Sequence, residues 1–234
     1  MTNPSISPEG RERAEELVLQ WARDRARIRR ATGCGIRHLP DEGGVRWKDV
    51  LATDNADYHH AAEMVSAWAD GEGREFLVLA GTRGTGKTQL AVLGLAKAVG
   101  RLGQGKMGAD YEGLGAYYRV RSLLGTIKGT YSRGAQRSEM DMLTELAAKR
   151  YLVLDEYAAS GLSETDEAIL QELFDRRYED CRRTLLITNV TRDALKDVLD
   201  NSTLSRIQET GLVLECIWPS FRCGGPDRRM KGDA

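Results

Sequence analysis

Residues 81–88 read Gly81-Thr82-Arg83-Gly84-Thr85-Gly86-Lys87-Thr88, the full G-x-x-x-x-G-K-[ST] spacing of a phosphate loop. Glycines at 81, 84 and 86 let the backbone turn tightly, so that successive N–H groups converge on phosphate oxygens. Lys87 adds a point charge within reach of β- and γ-phosphates, and Thr88 offers a hydroxyl to Mg²⁺. With Gln89, which opens the following segment, residues 81–89 form a candidate nucleotide-binding set. The chemistry implied is recognition of a nucleoside triphosphate.

Hydrolysis needs acids as well as a phosphate cradle. The run Tyr151-Leu152-Val153-Leu154 ends in Asp155-Glu156, the pattern of a Walker B motif. Asp155 is a candidate ligand for Mg²⁺ through its water shell, together with Thr88. Glu156 is the candidate general base for the attacking water. Downstream, TLLITN delivers Asn189, which either senses the γ-phosphate and orients water or caps the helix expected after Thr191-Arg192-Asp193. Arg206 lies on a further expected helix. It is either a finger reaching a neighbouring subunit's site, worth roughly 10³–10⁵ in rate, or a surface arginine paired with a nearby acid.

Positioning these residues requires alternating strands and helices. Phe76 to Ala80 reads as a buried strand leading into the loop, and Gln89 to Val99 as the helix whose N-terminus faces the phosphates. A helix from about Tyr58 to Asp70 precedes them. Ala116 to Arg121 reads as a strand and Ser122 to Tyr131 as a short basic helix. Ser138 opens another helix, with Met142, Leu143, Leu146 and Ala147 at amphipathic spacing. Further elements are a strand at Tyr151 to Leu154, a helix at Ser163 to Asp180, and strands at Thr184 to Thr188 and Leu212 to Ile217. Such alternation predicts an α/β fold with a mostly parallel sheet flanked by helices. The glycine-studded stretch Gly100 to Gly115 is expected to be a mobile loop.

Outside this core, residues 1–45 form an expected extension: a helix to about Arg30, then a Gly/Pro-marked linker. Arg23 to Arg30 holds five arginines, while Leu17, Val18, Trp21 and Ile28 lie roughly on one side. This helix is either solvated with one apolar stripe or a docking element. Residues 46–223 are the expected core, and 224–234 a short polar flexible tail. Across 234 residues, 34 Lys and Arg against 35 Asp and Glu give a formal charge of −1, so nucleic-acid binding must use a local patch. Tyr117, Tyr118, Arg119 and Arg121 through Lys128 and Arg133 mix cations with rings, which suits a single strand. Strand alternation alternatively puts Tyr117 and Arg119 on a plain solvated face. Cys34, Cys181, Cys216 and Cys223 form no C-x-x-C pair and read as reduced thiols. Without a signal peptide or an apolar run near the roughly 20 residues that span a bilayer, the expectation is a cytoplasmic protein with no membrane association.

GTRGTGKT, the basic stretch before YLVLDEY, LLITNVT, and the ending STLSRIQETG…LECIWPSFR together resemble AAA+ ATPases of the DnaC/IstB-like helicase-loader group, over roughly residues 46–223. The resemblance implies the ASCE-type P-loop fold, ATP with Mg²⁺, and a DnaB-type replicative helicase as client. It also implies a homo-oligomer with Arg206 acting in trans, and single-stranded DNA contacts at Arg121, Lys128 and Arg133. Trp21 and Leu17 would then anchor the helicase, in a bacterial cell or as a phage-encoded loader in its host. Two departures stand out. Too few residues follow Ile217 for a full C-terminal helical lid, which leaves Arg222 to substitute for a lid-borne sensor 2 arginine. The extension also lacks the zinc-type cysteine spacing of some relatives. Two rivals share the core residues: an IstB-like helper of a transposase, and an adaptor that binds ATP without hydrolysing it.

Overall fold

In the computed structural model, residues 55–103, 114–157 and 161–221 are described, the side chains of 101–103 excepted. Helix α1 (Ala56–Asp70) leads into β1 (Phe76–Gly81), the phosphate loop and α2 (Lys87–Gly103). Then come β2 (Gly115–Arg119), α3 (Val120–Gly129), α4 (Glu139–Ala148), β3 (Tyr151–Tyr157) and α5 (Glu164–Glu179). The chain continues through β4 (Arg183–Thr188), a 3₁₀ turn (Asp193–Asp197), α6 (Asn201–Thr210) and β5 (Gly211–Cys216). The five strands lie in the order β2-β3-β4-β1-β5, and every pairing is parallel.

Side-chain alternation divides the core between the two faces of this sheet. Leu77, Leu79, Val153, Leu185, Ile187 and Leu214 pack against α1 and α2. Phe76, Val78, Ala80, Leu152, Leu154 and Leu186 pack against the other helices. Near-continuous apolar strands are what a sheet covered on both faces demands. Ser138 and Ser163 start α4 and α5 with reciprocal capping boxes, through Asp141 and Asp166.

The expected α/β class and parallel sheet are present, but some boundaries move. Helix α3 begins at Val120, so Arg121 is helical and not part of β2. Asp155 and Glu156 lie within β3, where the pairing with β4 is irregular between Leu154 and Tyr157. Residues 100–103 extend α2, and the rest of the expected 100–115 loop up to 113 falls outside the described residues. The 1–45 extension, with Trp21 and Leu17, and the 224–234 tail fall outside them too, as does Arg222. Among the described residues no lid helix follows β5, and no helix is long and apolar enough to cross a membrane.

Candidate nucleotide site

The strand order places the ends of β1, β4 and β3 side by side. It therefore gathers the phosphate loop, Asn189 and Asp155-Glu156 at the carboxyl edge of the sheet, where open α/β sheets bind ligands. Gly84 and Gly86 adopt φ of 87° and 82°, the left-handed conformations that the glycine spacing anticipates. Lys87, 5 % exposed, curls over the loop. Its Nζ donates to the carbonyls of Gly81 at 2.8 Å and Thr82 at 2.6 Å, and lies 3.4 Å from Thr85 Oγ1.

Loop and acid meet directly. Thr88 Oγ1 donates to Asp155 Oδ2 at 2.8 Å. The same oxygen accepts Tyr117 Oη at 2.7 Å, while Asp155 Oδ1 accepts the Glu156 N–H at 2.7 Å. Asp155 is thus buried but fully hydrogen-bonded, as a buried carboxylate must be. Tyr117 on β2 is half-buried, its hydroxyl turned to Asp155, and does not join a solvated face. Burial, then the neighbouring Asp155 charge, raises its phenol far above the ordinary range, so it remains a donor.

Glu156 is exposed beside Asp155, at a φ of 59° that non-glycine residues rarely adopt. Such left-handed strain costs on the order of 1–3 kcal/mol and gathers at functional sites. Asn189 is exposed one residue past β4. The 3₁₀ turn that follows takes Arg192 at its N-cap position without a side-chain bond, so Asn189 does not cap it.

The residues present fit Mg²⁺ bound with a nucleotide. That ion retains waters and takes one or two protein oxygens beside phosphate, which a threonine hydroxyl touching one carboxylate provides. Among the described residues, no group of three or more His, Cys, Asp or Glu side chains gathers as a protein metal cage would.

Of the remaining candidates, Arg206 lies apart from this edge, while Arg121 follows the carboxyl end of β2 at the start of α3. Arg206 on α6 pairs with Asp175 of α5, donates to Ser202 Oγ at 2.8 Å and stacks 5.2 Å from the Tyr178 ring centre. Lys128 pairs with Asp166, the α5 capping residue, at 2.7 Å. Arg121 and Arg133 are exposed on α3 and the turn beyond it.

Four aromatic contacts escaped the motif analysis. Tyr117 is one; Tyr58, Trp218 and Phe221 enclose the back of the phosphate loop. Trp218 Nε1 donates to the Thr85 carbonyl at 2.8 Å, and the Phe221 N–H to Gly84 at 2.9 Å. Burial, then Cys216, pushes the Tyr58 phenol up to about 12, so it too stays protonated.

Residues 10–216 match the family described as IstB-like ATP binding protein. The chain belongs to that family. A curated relative, the replicative helicase loader DnaC of Buchnera aphidicola subsp. Acyrthosiphon pisum, is 27% identical over 104 residues, 44% of this chain and 42% of the relative. The chain therefore matches less than half the length of that relative. Among solved structures, the DnaC helicase loader superposes with a TM-score of 0.55 at 21% identity, covering 69% of this chain and 91% of that one. The replication initiator DnaA bound to AMPPCP and single-stranded DNA gives 0.55 at 17%, covering 72% and 48%. These likenesses bear out the AAA+ fold and the DnaC/IstB-like grouping expected from the motifs.

Proposed function

We propose that this chain is an Mg²⁺-dependent ATPase that loads a DnaB-type hexameric helicase onto single-stranded DNA. The observation that carries the ATPase reading is the 2.8 Å hydrogen bond from Thr88 to Asp155, which joins phosphate loop and Walker B in one site. The loader reading leans on relatives that bear that name.

In this reading the loop amides and Lys87 bind the phosphates, so Lys87 exchanges its carbonyl partners for phosphate oxygens. Thr88 and Asp155 hold Mg²⁺, whose charge offsets that of the phosphates. Glu156 accepts the proton of the attacking water and Asn189 orients that water. Arg206 serves a neighbouring subunit by giving up Asp175, and Arg222 takes the place of a sensor 2 arginine. Residues 46–223 act as the ATPase core, while Arg121, Lys128 and Arg133 contact DNA. The 1–45 extension grips the helicase through Trp21 and Leu17. A homo-oligomer working in the cytoplasm completes the picture.

A second reading shares the same IstB-like ATP-binding core: an ATPase that assists a transposase on duplex DNA. Steady-state ATP hydrolysis by wild type, Glu156→Gln and Arg206→Ala, with single-stranded or duplex DNA, separates the two. The loader reading expects stimulation by single strands and loss of about 10³-fold in both variants. Stimulation confined to duplex DNA favours the transposition helper. ATP binding without turnover under any condition favours a non-hydrolysing adaptor.

A further inference from the structure

The segment leaving β5, residues 217–221, contacts the phosphate loop from behind at several independent points. Trp218, 5 % exposed, gives its indole N–H to the carbonyl of Thr85, itself 0 % exposed. The Phe221 amide takes the carbonyl of the preceding residue, Gly84, at 2.9 Å. Tyr58 of α1 closes the arrangement, its ring 5.4 Å from Trp218 and 5.1 Å from Phe221, edge-on to both. A Cβ at Gly86 would lie 3.4 Å from both the Phe221 ring and Tyr58 Oη. At the start of the loop, a Cβ at Gly81 would fall 2.3 Å from the Cys216 carbonyl oxygen.

Peptide geometry gives these bonds a consequence. No described peptide is cis. In a planar trans peptide, the carbonyl of one residue and the N–H of the next point in opposite directions. Tying the Gly84 and Thr85 carbonyls back to residues 217–221 therefore turns the N–H groups of Thr85 and Gly86 forward, out of the loop's concave face. Those are N–H groups a phosphate loop presents to its anion.

We propose that residues 217–221 are a positioning element for nucleotide binding, with Trp218 as its central residue. It fixes the loop amides in their phosphate-facing orientation without touching the ligand. The inference rests on the nucleotide reading of the loop and adds the residue that preorganises it. Preorganisation raises affinity by removing an ordering cost from the binding step.

The test is titration of the full-length chain with a fluorescent ATP analogue and Mg²⁺, comparing wild type with Trp218→Phe. That substitution keeps a ring against Tyr58 and removes the N–H. The expected result is a Kd raised about tenfold, together with the modestly lower unliganded unfolding midpoint that an orphaned Thr85 carbonyl entails. An unchanged Kd overturns the positioning role, and does so equally if the unliganded midpoint drops, because Trp218 would then be only structural. Should Trp218→Phe fail to fold, amide exchange in wild type decides. Nucleotide must slow exchange at Phe221, whose N–H holds the loop, and equal exchange with and without nucleotide overturns the proposal. Failure of wild type to bind the analogue sinks the nucleotide reading itself, a result distinct from equal binding by both chains.

Discussion

Lys87 and Arg177 are both buried cations held by backbone carbonyls, at opposite edges of one sheet. Lys87, at the carboxyl edge, rests on the Gly81 and Thr82 carbonyls, groups of a loop open to a ligand. Arg177 of α5, at the amino edge, is 0 % exposed. Its guanidinium donates to the carbonyls of Leu146, Ala147, Lys149 and Arg183 and to Thr184 Oγ1, at 2.7–3.2 Å. Burial, then the charge of Arg182, draws it down to about 9, which leaves it protonated at neutral pH. The rigid fork of Arg177 thus binds the end of α4 to the starts of β3 and β4, while the flexible stem of Lys87 can exchange partners. One edge is saturated and structural, the other loaded for exchange.

The largest expected effect breaks the saturated edge. Arg177→Met leaves several buried acceptors orphaned at about 1–3 kcal/mol each, so a loss of at least about 3 kcal/mol is expected in urea unfolding. Lys87→Ala is the counterpart: nucleotide affinity should fall about 100-fold, while unfolding in the absence of nucleotide changes by no more than about 1–2 kcal/mol, because water entering the open loop takes over its carbonyls. If Lys87→Ala destabilised the unliganded fold as much as Arg177→Met, the distinction between the edges would collapse.

A third variant sharpens the carboxyl edge. Tyr117→Phe removes one of the donors that hold Asp155 Oδ2 beside Thr88. Outer hydrogen bonds that orient a metal-binding carboxylate are worth roughly tenfold or more in metal affinity. Half-maximal nucleotide binding should therefore need about tenfold more Mg²⁺ in this variant, with unfolding nearly unchanged. An unaltered Mg²⁺ requirement would make Tyr117 a packing residue.

The two edges also differed in how openly the chain declared them. The phosphate loop and Asp155-Glu156 are contiguous patterns whose local backbone and strand position are encoded in a few residues. Tyr117 was not readable in this way, because its bond to Asp155 depends on the β2–β3 register that sets Arg119 opposite Asp155. Arg121 followed the alternation of Tyr117 and Arg119 in the sequence. Val120, Leu123, Leu124 and Ile127 form a helical stripe, however, and burying it starts α3 two residues earlier than expected. Arg177 left a signal that went unused: it continues the Leu170, Leu173, Phe174 stripe at i+7, on the inward face. Trp218 and Phe221 stood in a quoted motif, yet only the folded chain brings Trp218 across 133 residues back to Thr85 and Phe221 back to Gly84.

The smallest expected effect concerns the proposed DNA contacts, where the same question of spare or spent charge recurs. Lys128 is engaged by Asp166 at 2.7 Å and sits beside the α5 cap, whereas Arg133 is exposed on the turn after α3. A cation spent on a carboxylate neutralises little phosphate, and its removal costs at most about 1 kcal/mol of stability. A phosphate contact on a single strand contributes about 0.7 to the slope of log K against log salt. Arg133→Ala should therefore flatten that slope by about 0.7, measured by anisotropy of a labelled oligonucleotide, and Lys128→Ala by clearly less. Equal flattening by both would mean that Lys128 releases Asp166 when DNA binds, which couples the strand to the start of α5. No flattening by either would remove this face from the DNA site and leave Lys128 as a partner of the helix cap alone.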